Sequence, residues 1–543
     1  MNLFDAIFKQ SSLEHTAILY EQRGISYAEL RDRTLRFARG LSALGVAPGD
    51  RVALLLNDSP EFIAAFIAIC SHGAIAVPIN MALRLEEQQA ILNDSTATIA
   101  IVEEDLCETL LQEAANQLPD LEQLVVVSRE NKKKPTTEAQ STQSEHRDRP
   151  QAPSITIRQL ADLLNQSQQQ VAPEFPDPDQ NQPAFILYTS GSTGEPKGAV
   201  HRQSDIFYTN ETYCREVLRL REHDRLFSSS RLPFAYGLGN GFTFPLLSGC
   251  TTILCREKPT PEVIAQVFAD YKPTIFFGVP VVYRLLLDES RKQARGSALD
   301  CSSLRLCVSA GEALPAQLGE EWEKTFGVPV LDGIGSTEML HMWMSNHEGD
   351  VIYGSSGKLL RGYEARLLDP DGRPTPAGAE GNLWVKGASA AIGYWQRPET
   401  TANTFVDGWV RTGDLYRHDA DGHWFHMGRS DDCFKSSGQW VSPVEVEGVL
   451  LRQEGVSRVA VVEDFDDDRL PCACAFVVRS EGEVDSDELE QRLRELARTA
   501  LPRFKQPRQY VFVDELPYTA TGKIQRFKLK ESLESKVQSP KSD

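Results

Sequence analysis

Residues 188–200, YTSGSTGEPKGAV, bring three glycines, four Ser/Thr hydroxyls and one lysine into a single short stretch. Gly191 and Gly194 permit backbone conformations that turn N–H groups toward an anion. Thr189, Ser190, Ser192 and Thr193 add hydroxyl donors, and Lys197 adds a point charge. Such a set suits a polyphosphate. The stretch is not a Walker A loop, because Gly198 follows Lys197 where Ser or Thr is required. It is not a nucleophile elbow either, since G-x-S-x-G is absent. By itself it fits a phosphate cradle or a plain connection, and the connection is the commoner use of a Gly/Ser loop. His418, His423 and His426 flank an Asp-Ala-Asp-Gly turn, but no ordered Cys/His ligand set completes a metal site there.

The elements that must carry this loop follow from composition and pattern. At about 100–200 residues per domain, 543 residues make three or more folding units. The chain is 41% hydrophobic and 25% charged, as in a soluble globular protein. A net charge of −20 argues against a general nucleic-acid binder, yet leaves room for local pockets that hold small anions. Ten cysteines without a Cys-x-x-Cys pair read as reduced, buried thiols of a cytoplasmic protein. The first residues lack signal-peptide architecture. The apolar run 62–70 is far too short to span a bilayer and predicts a core helix. No membrane or nucleic-acid partner is expected.

Residues 51–56 read as a buried strand and residues 59–70 as a helix with Ser59 as N-cap and Pro60 at its first position. Strands over 74–80 and 96–102 flank a helix near 85–93. This alternation, which resumes from 185 to about 306, predicts an α/β fold with largely parallel sheets and helices on both faces. Residues 128–154 are polar and predict a flexible surface insertion whose lysine run is a solvated loop. Over 357–427 short apolar runs are separated by turns such as LDPDGRPT and HDADGHWF, which predicts a β-rich subdomain. A small α+β unit follows, with a helix near 443–453, strands at RVAVVE and CACAFVV, a charged helix over 486–501 and a basic tail ending near Lys530. The expected organisation is a large N-terminal domain, residues 1–428, made of two α/β subdomains plus the β-rich one, and a small mobile C-terminal domain, residues 429–543.

The whole string YTSGSTGEPKGAVH closely resembles the phosphate loop of the adenylate-forming superfamily: acyl-CoA synthetases, adenylation domains and luciferases. Further matches occur in the family's order: SAGEALP (from Ser309), DGIGSTE (from Asp332), RTGDL (from Arg411), GRSDDCFKSSGQWVSP (from Gly428) and TATGKIQR (from Thr519). The resemblance spans the chain apart from residues 128–154 and the last dozen. LPFAYGLGNGFTFP, DGIGSTEMLHMW and WVSPVEVE look most like the benzoate- and aminobenzoate-CoA ligases.

That resemblance implies a two-step reaction. A small aromatic carboxylic acid attacks the α-phosphorus of ATP, giving an aryl-adenylate and pyrophosphate, and coenzyme A then displaces AMP. Such chemistry needs positioning and charge neutralisation. Lys523 is implied to bridge the acid and the α-phosphate. Glu338 is implied to hold Mg²⁺ and Thr337 to bond the α-phosphate. Thr189, Ser190, Gly191, Ser192, Thr193, Gly194 and Lys197 would grip the β- and γ-phosphates. Gly311, Glu312, Ala313, Asp332 and Gly333 match the adenine-binding segments, with Ile334 where many relatives carry an aromatic. Asp414 would bond the ribose, supported by Arg429. Tyr236 and His341, walled by Phe234, Ala235, Ala310, Gly335 and Met342, would form the acid pocket, His341 holding the carboxylate or a ring substituent. Asp431 matches the hinge about which the small domain turns. Gly438 would then face the pantetheine arm, and Trp440 either lines its tunnel or packs between domains. Two other readings stay open: a stand-alone enzyme loading an acyl carrier protein, and a silent nucleotide-binding module. Relatives range from monomer to homodimer.

Overall fold

The computed structural model describes residues 1–538 except 10, 115–117, 129–154, 167–173, 176, 180, 191–195, 293–298, 377, 438, 467–468, 481–484 and 519–523. Two large, mainly parallel sheets form its centre. The first has eight strands in the order Gly393–Tyr394, Pro196–His201, Phe185–Ser190, Ile75–Pro78, Arg51–Leu55, Ile99–Glu103, Gln123–Val127 and Thr156–Gln159. Its strands run parallel except Pro196–His201 and Gly393–Tyr394, which pair antiparallel at one edge. The second has nine strands, from Lys358–Leu359 through Met342–Ser345, Val330–Gly335, Leu306–Ser309, Ile275–Gly278, Arg225–Ser228, Thr251–Ile253 and Thr16–Tyr20 to Arg23–Ser26.

Helix Pro60–Ser71 joins the two sheets. Ser59 caps it by accepting from the Phe62 N–H, Pro60 begins it, and all its residues except Glu61 are buried. A helix that is apolar all round must be enclosed. Here Phe66 packs on Phe185 of the first sheet and edge-on against Phe242 beside the second. Phe62, Phe66, Phe185, Phe242 and Leu246 belong to one continuous core.

The expected β-rich region is an antiparallel sheet of Glu364–Leu368, Gly381–Lys386, Trp409–His418 and Phe405–Val406, with Trp424–Arg429 paired to Trp409–His418. The two Asp-Gly segments serve as its turns. Beyond it lies a smaller C-terminal domain. A sheet of Val456–Phe465, Pro471–Arg479 and Gln509–Phe512 packs there with helices Pro443–Leu450 and Ser486–Ala500. One expectation is corrected: the basic tail is helical from Arg526 to Gln538, because Leu529 and Leu533, four residues apart, are buried against Val462 and Phe476. The expected insertion lies outside the described residues apart from Ser128. All ten cysteines are free thiols, eight of them buried. Among the described residues no helix is long and apolar enough to cross a membrane.

Two π-helical segments, Asn210–Leu218 and Gly239–Thr243, interrupt the second subdomain. The second follows the short helix Ala235–Leu238, in which a Cβ on Gly237 would lie 2.0 Å from the Arg231 carbonyl oxygen. Gly237→Ala is therefore expected to cost about 1–3 kcal/mol or more through overpacking, read as a fall in the urea midpoint of unfolding.

Candidate active site

Several of the residues singled out in the sequence follow the C-terminal ends of parallel strands, where ligands of open α/β sheets bind. Strand Leu306–Ser309 ends in Ala310 and the turn at Gly311–Ala313, and strand Val330–Gly335 supplies Asp332 beside that turn. The Asp332 carboxylate accepts from the Leu314 N–H at 3.3 Å, so it fixes the turn's exit. Burial raises this carboxyl well above the usual range and outweighs the Leu314 and Gly333 N–H groups. A Cβ on Gly335 would lie 2.6 Å from the His341 carbonyl oxygen, so antiparallel pairing with Met342 by itself requires glycine there.

His341 stands at the centre of an aromatic cage. Its ring lies 4.7 Å from Tyr213, 4.7 Å edge-on from Phe244 and 5.8 Å, stacked, from Tyr236. The imidazole is buried. Burial pushes its pKa down to about 3, and the Tyr236 carbonyl opposes this less. His341 is thus a neutral ring at physiological pH. Tyr213 comes from one π-helix, and Gly239, which packs on the imidazole, begins the other. Such helices recur at functional sites. Leu340, with φ +65°, makes the sharp turn that swings His341 into the cage. Tyr236 donates from its hydroxyl to the carbonyls of Val308 and Gly278, at 3.2 and 3.3 Å. Phe234 is half-buried; Ala235, Ala310 and Met342 are buried.

Thr337 and Glu338 lie in a 3-10 turn, Thr337–Met339, and Ser336 makes no capping bond to it. Two side chains hold the turn in place. The His201 Nε2 reaches the Thr337 carbonyl at 2.7 Å, while its Nδ1 reaches Asp205 Oδ2 at 3.0 Å. Tyr394 donates its hydroxyl to Glu338 Oε1 at 2.6 Å, and the Ala391 N–H donates to the Glu338 carbonyl at 2.8 Å. Neither His201 nor Tyr394 was singled out by the sequence reading. His201 closes the quoted loop motif, which was the available signal. A carboxylate fixed in this way has the hard oxygen donor that Mg²⁺ prefers.

Asp414 pairs across the strands with Arg429, whose Nη1 lies 3.4 Å from Asp414 Oδ1; His426 Nε2 lies 3.7 Å from the same oxygen. His426 thus adjoins Asp414, while His423 faces Asp419 and Asp350. Asp431 is exposed in the turn after Arg429. Trp440 is 48% exposed with Lys435 over its ring at 5.1 Å. Thr189 pairs with Lys197 across strands Phe185–Ser190 and Pro196–His201. Gly191, Ser192, Thr193, Gly194, Gly438 and Lys523 lie outside the described residues. The neighbour of Lys523 is placed, however: the Ile524 N–H donates to Glu312 Oε1 at 3.0 Å, joining the C-terminal domain to the turn after Ala310. Arg526, missed in the sequence although inside the quoted motif, secures this segment through Glu447, the Val461 carbonyl and Asp432.

The model of the AMP-binding enzyme family matches residues 4–395, and that of the AMP-binding enzyme C-terminal domain matches residues 445–523. The chain is 41% identical over 519 residues to a benzoate–CoA ligase of Thauera aromatica, covering 95% of this chain and 92% of that protein. It superposes on the crystal structure of the anthranilate CoA ligase AuaEII in complex with anthranoyl-AMP with a TM-score of 0.88 and 34% identity, covering 99% of this chain and 98% of the other. For a benzoate CoA ligase from Burkholderia xenovorans LB400 the TM-score is 0.83, with 36% identity and coverage of 97% and 99%.

The depressed His341 pKa has a consequence for stability. The unfolded chain takes up a proton near pH 6.5 that the native ring refuses until about pH 3. Stability contributed by the neutral ring is therefore complete above pH 6.5 and falls as pH drops. Between pH 7 and 5 the loss amounts to about 2 kcal/mol. His341→Phe is expected to remove that share of the pH dependence, measured as a shallower decline of the denaturation midpoint.

Proposed function

Because the chain belongs to the AMP-binding enzyme family, we propose that its site activates benzoate or a small ring-substituted benzoate. The activity is that of an AMP-forming aryl-CoA ligase: ATP and the acid give an aryl-adenylate and pyrophosphate, and coenzyme A then takes the aryl group as a thioester. The observation that carries the choice of acid is the cluster of rings around His341, in the same apolar core as Ala310 and Met342. A flat aromatic body fits such surroundings.

A neutral imidazole brings no positive charge to a carboxylate. We therefore place His341 at the ring of the acid and the carboxylate toward the phosphate side. To Lys523 we assign the balancing of charge between the attacking carboxylate and the α-phosphate, a role supported by the contact of its neighbour Ile524 with Glu312. Thr337 bonds the α-phosphate. Thr189, Ser190, Gly191, Ser192, Thr193, Gly194 and Lys197 hold the β- and γ-phosphates, and Gly311–Ala313 with Gly333 receive the adenine through backbone groups. Asp414 accepts from the ribose hydroxyls, with Arg429 and His426 keeping its carboxylate in place. Mg²⁺, held by Glu338, would neutralise charge on the triphosphate. We place the domain division at 428/429. Asp431, exposed in its turn, serves as the hinge that withdraws Lys523 after the first step and brings Gly438 to the thiol.

Three measurements test this reading. Pyrophosphate release across a panel of aromatic acids should be strongest with benzoate and its small substituted relatives, and thioester should form with free coenzyme A in the absence of any carrier protein. Lys523→Ala is expected to slow pyrophosphate release by about 100-fold or more while leaving thioester formation from supplied aryl-adenylate within about threefold. Equal loss of both half-reactions would contradict the assignment. His341→Ala should alter the ratio of kcat/KM between acids on the order of 10-fold while the KM for ATP stays unchanged.

A further inference from the structure

Glu338 is held more tightly than a metal ligand needs to be merely to reach its ion. The Tyr394 hydroxyl occupies Oε1 at 2.6 Å, and the Ala391 N–H occupies the Glu338 carbonyl at 2.8 Å. Both donors come from one short segment. That segment is pinned in turn: the Ile392 N–H donates to the Val200 carbonyl at 2.8 Å and the Trp395 N–H to the Gly198 carbonyl at 2.7 Å. Tyr394 itself is braced from two sides. Its N–H donates to Thr401 Oγ1 at 2.9 Å, and its ring meets Phe405 edge-on at 5.5 Å. The Thr404 side chain also adjoins the phenol, whose own proton goes to Glu338.

We propose that Tyr394 is a positioning residue that restricts Glu338 to one-oxygen coordination and thereby biases the site toward Mg²⁺ over Ca²⁺. The inference rests on the reading of Glu338 as a metal ligand. With Oε1 engaged by the phenol, Oε2 is the oxygen left for the ion. Mg²⁺ accepts single oxygens in a strict octahedron, whereas Ca²⁺ takes carboxylates through both oxygens in a looser shell. Outer hydrogen bonds of this kind commonly govern metal affinity by about 10–100-fold. Because the Ala391–Trp395 segment pairs with the strand that follows the phosphate loop, the same contacts set the spacing between the ligand oxygen and the triphosphate.

The test compares Tyr394→Phe, Thr404→Val and Glu338→Gln in the full chain by calorimetric titration with ATP in Mg²⁺ and in Ca²⁺, alongside the metal dependence of pyrophosphate release. Tyr394→Phe should weaken binding of ATP in Mg²⁺ about 10-fold and move the Ca²⁺-to-Mg²⁺ affinity ratio by about 10-fold toward Ca²⁺. The KM for coenzyme A should stay unchanged. Thr404→Val should move the ratio in the same direction by a smaller factor, and it carries the test if Tyr394→Phe does not fold. An unchanged ratio in a folded variant, with Glu338→Gln abolishing metal-dependent binding, would overturn the role of Tyr394 alone. Metal-dependent ATP binding that survives Glu338→Gln would overturn the metal-ligand reading and this inference with it.

Discussion

The site depends on the antiparallel strand Pro196–His201 and on what its two edges hold. One edge pairs with Phe185–Ser190, in register Thr189 with Lys197, and so fixes both ends of the loop proposed to hold phosphates. The other edge carries Gly393–Tyr394 and, through it, Glu338. His201 at the strand's end completes the arrangement. Its Nδ1 lies 3.0 Å from Asp205 Oδ2 and its Nε2 lies 2.7 Å from the Thr337 carbonyl, so the ring ties the end of the strand to the turn that carries Glu338. Asp205 also accepts from Arg202 Nε at 2.9 Å. His201 and Asp205 are both fully buried, where removing one partner would leave the other's polar atoms unsatisfied. One strand thereby keeps loop, Thr337 and Glu338 at constant separation.

Rigid packing lies behind that strand. The enclosed helix Pro60–Ser71 packs strand Phe185–Ser190 and strand Thr16–Tyr20 of the second sheet into one core. The aromatic cage proposed to take the acid draws on a different device. Two π-helical segments and the positive φ of Leu340 bring Tyr213, Gly239 and His341 together at the cost of regular geometry.

Much of this was legible in the chain. Capping by Ser59 and Pro60, the Asp-Gly turns and the alternation of strand and helix are local patterns, and local sterics make them readable. The loop, Glu338, Asp414 and Lys523 stood out through their motifs. Other features were hidden for physical reasons. An extra residue per turn in a π-helix is set by neighbouring packing, not by composition. The helix Arg526–Gln538 has a weak apolar pattern, with Leu529 and Leu533 buried but Phe527 exposed. Tyr394 lies 56 residues from Glu338 in sequence and His201 136 residues from Thr337, so no spacing rule joins them.

The sequence by itself determined the chemistry on offer: a glycine and hydroxyl loop for phosphates, carboxylates at 338 and 414, a lysine at 523, and an α/β frame to hold them. Only the tertiary structure decided the state in which those groups work. Desolvation in an aromatic cage makes His341 neutral, His201 is held between Asp205 and the Thr337 carbonyl, and a phenol across the sheet edge donates to one oxygen of Glu338. Each of these outcomes depends on which atoms meet in space, and a residue's type and position in the chain do not carry that information.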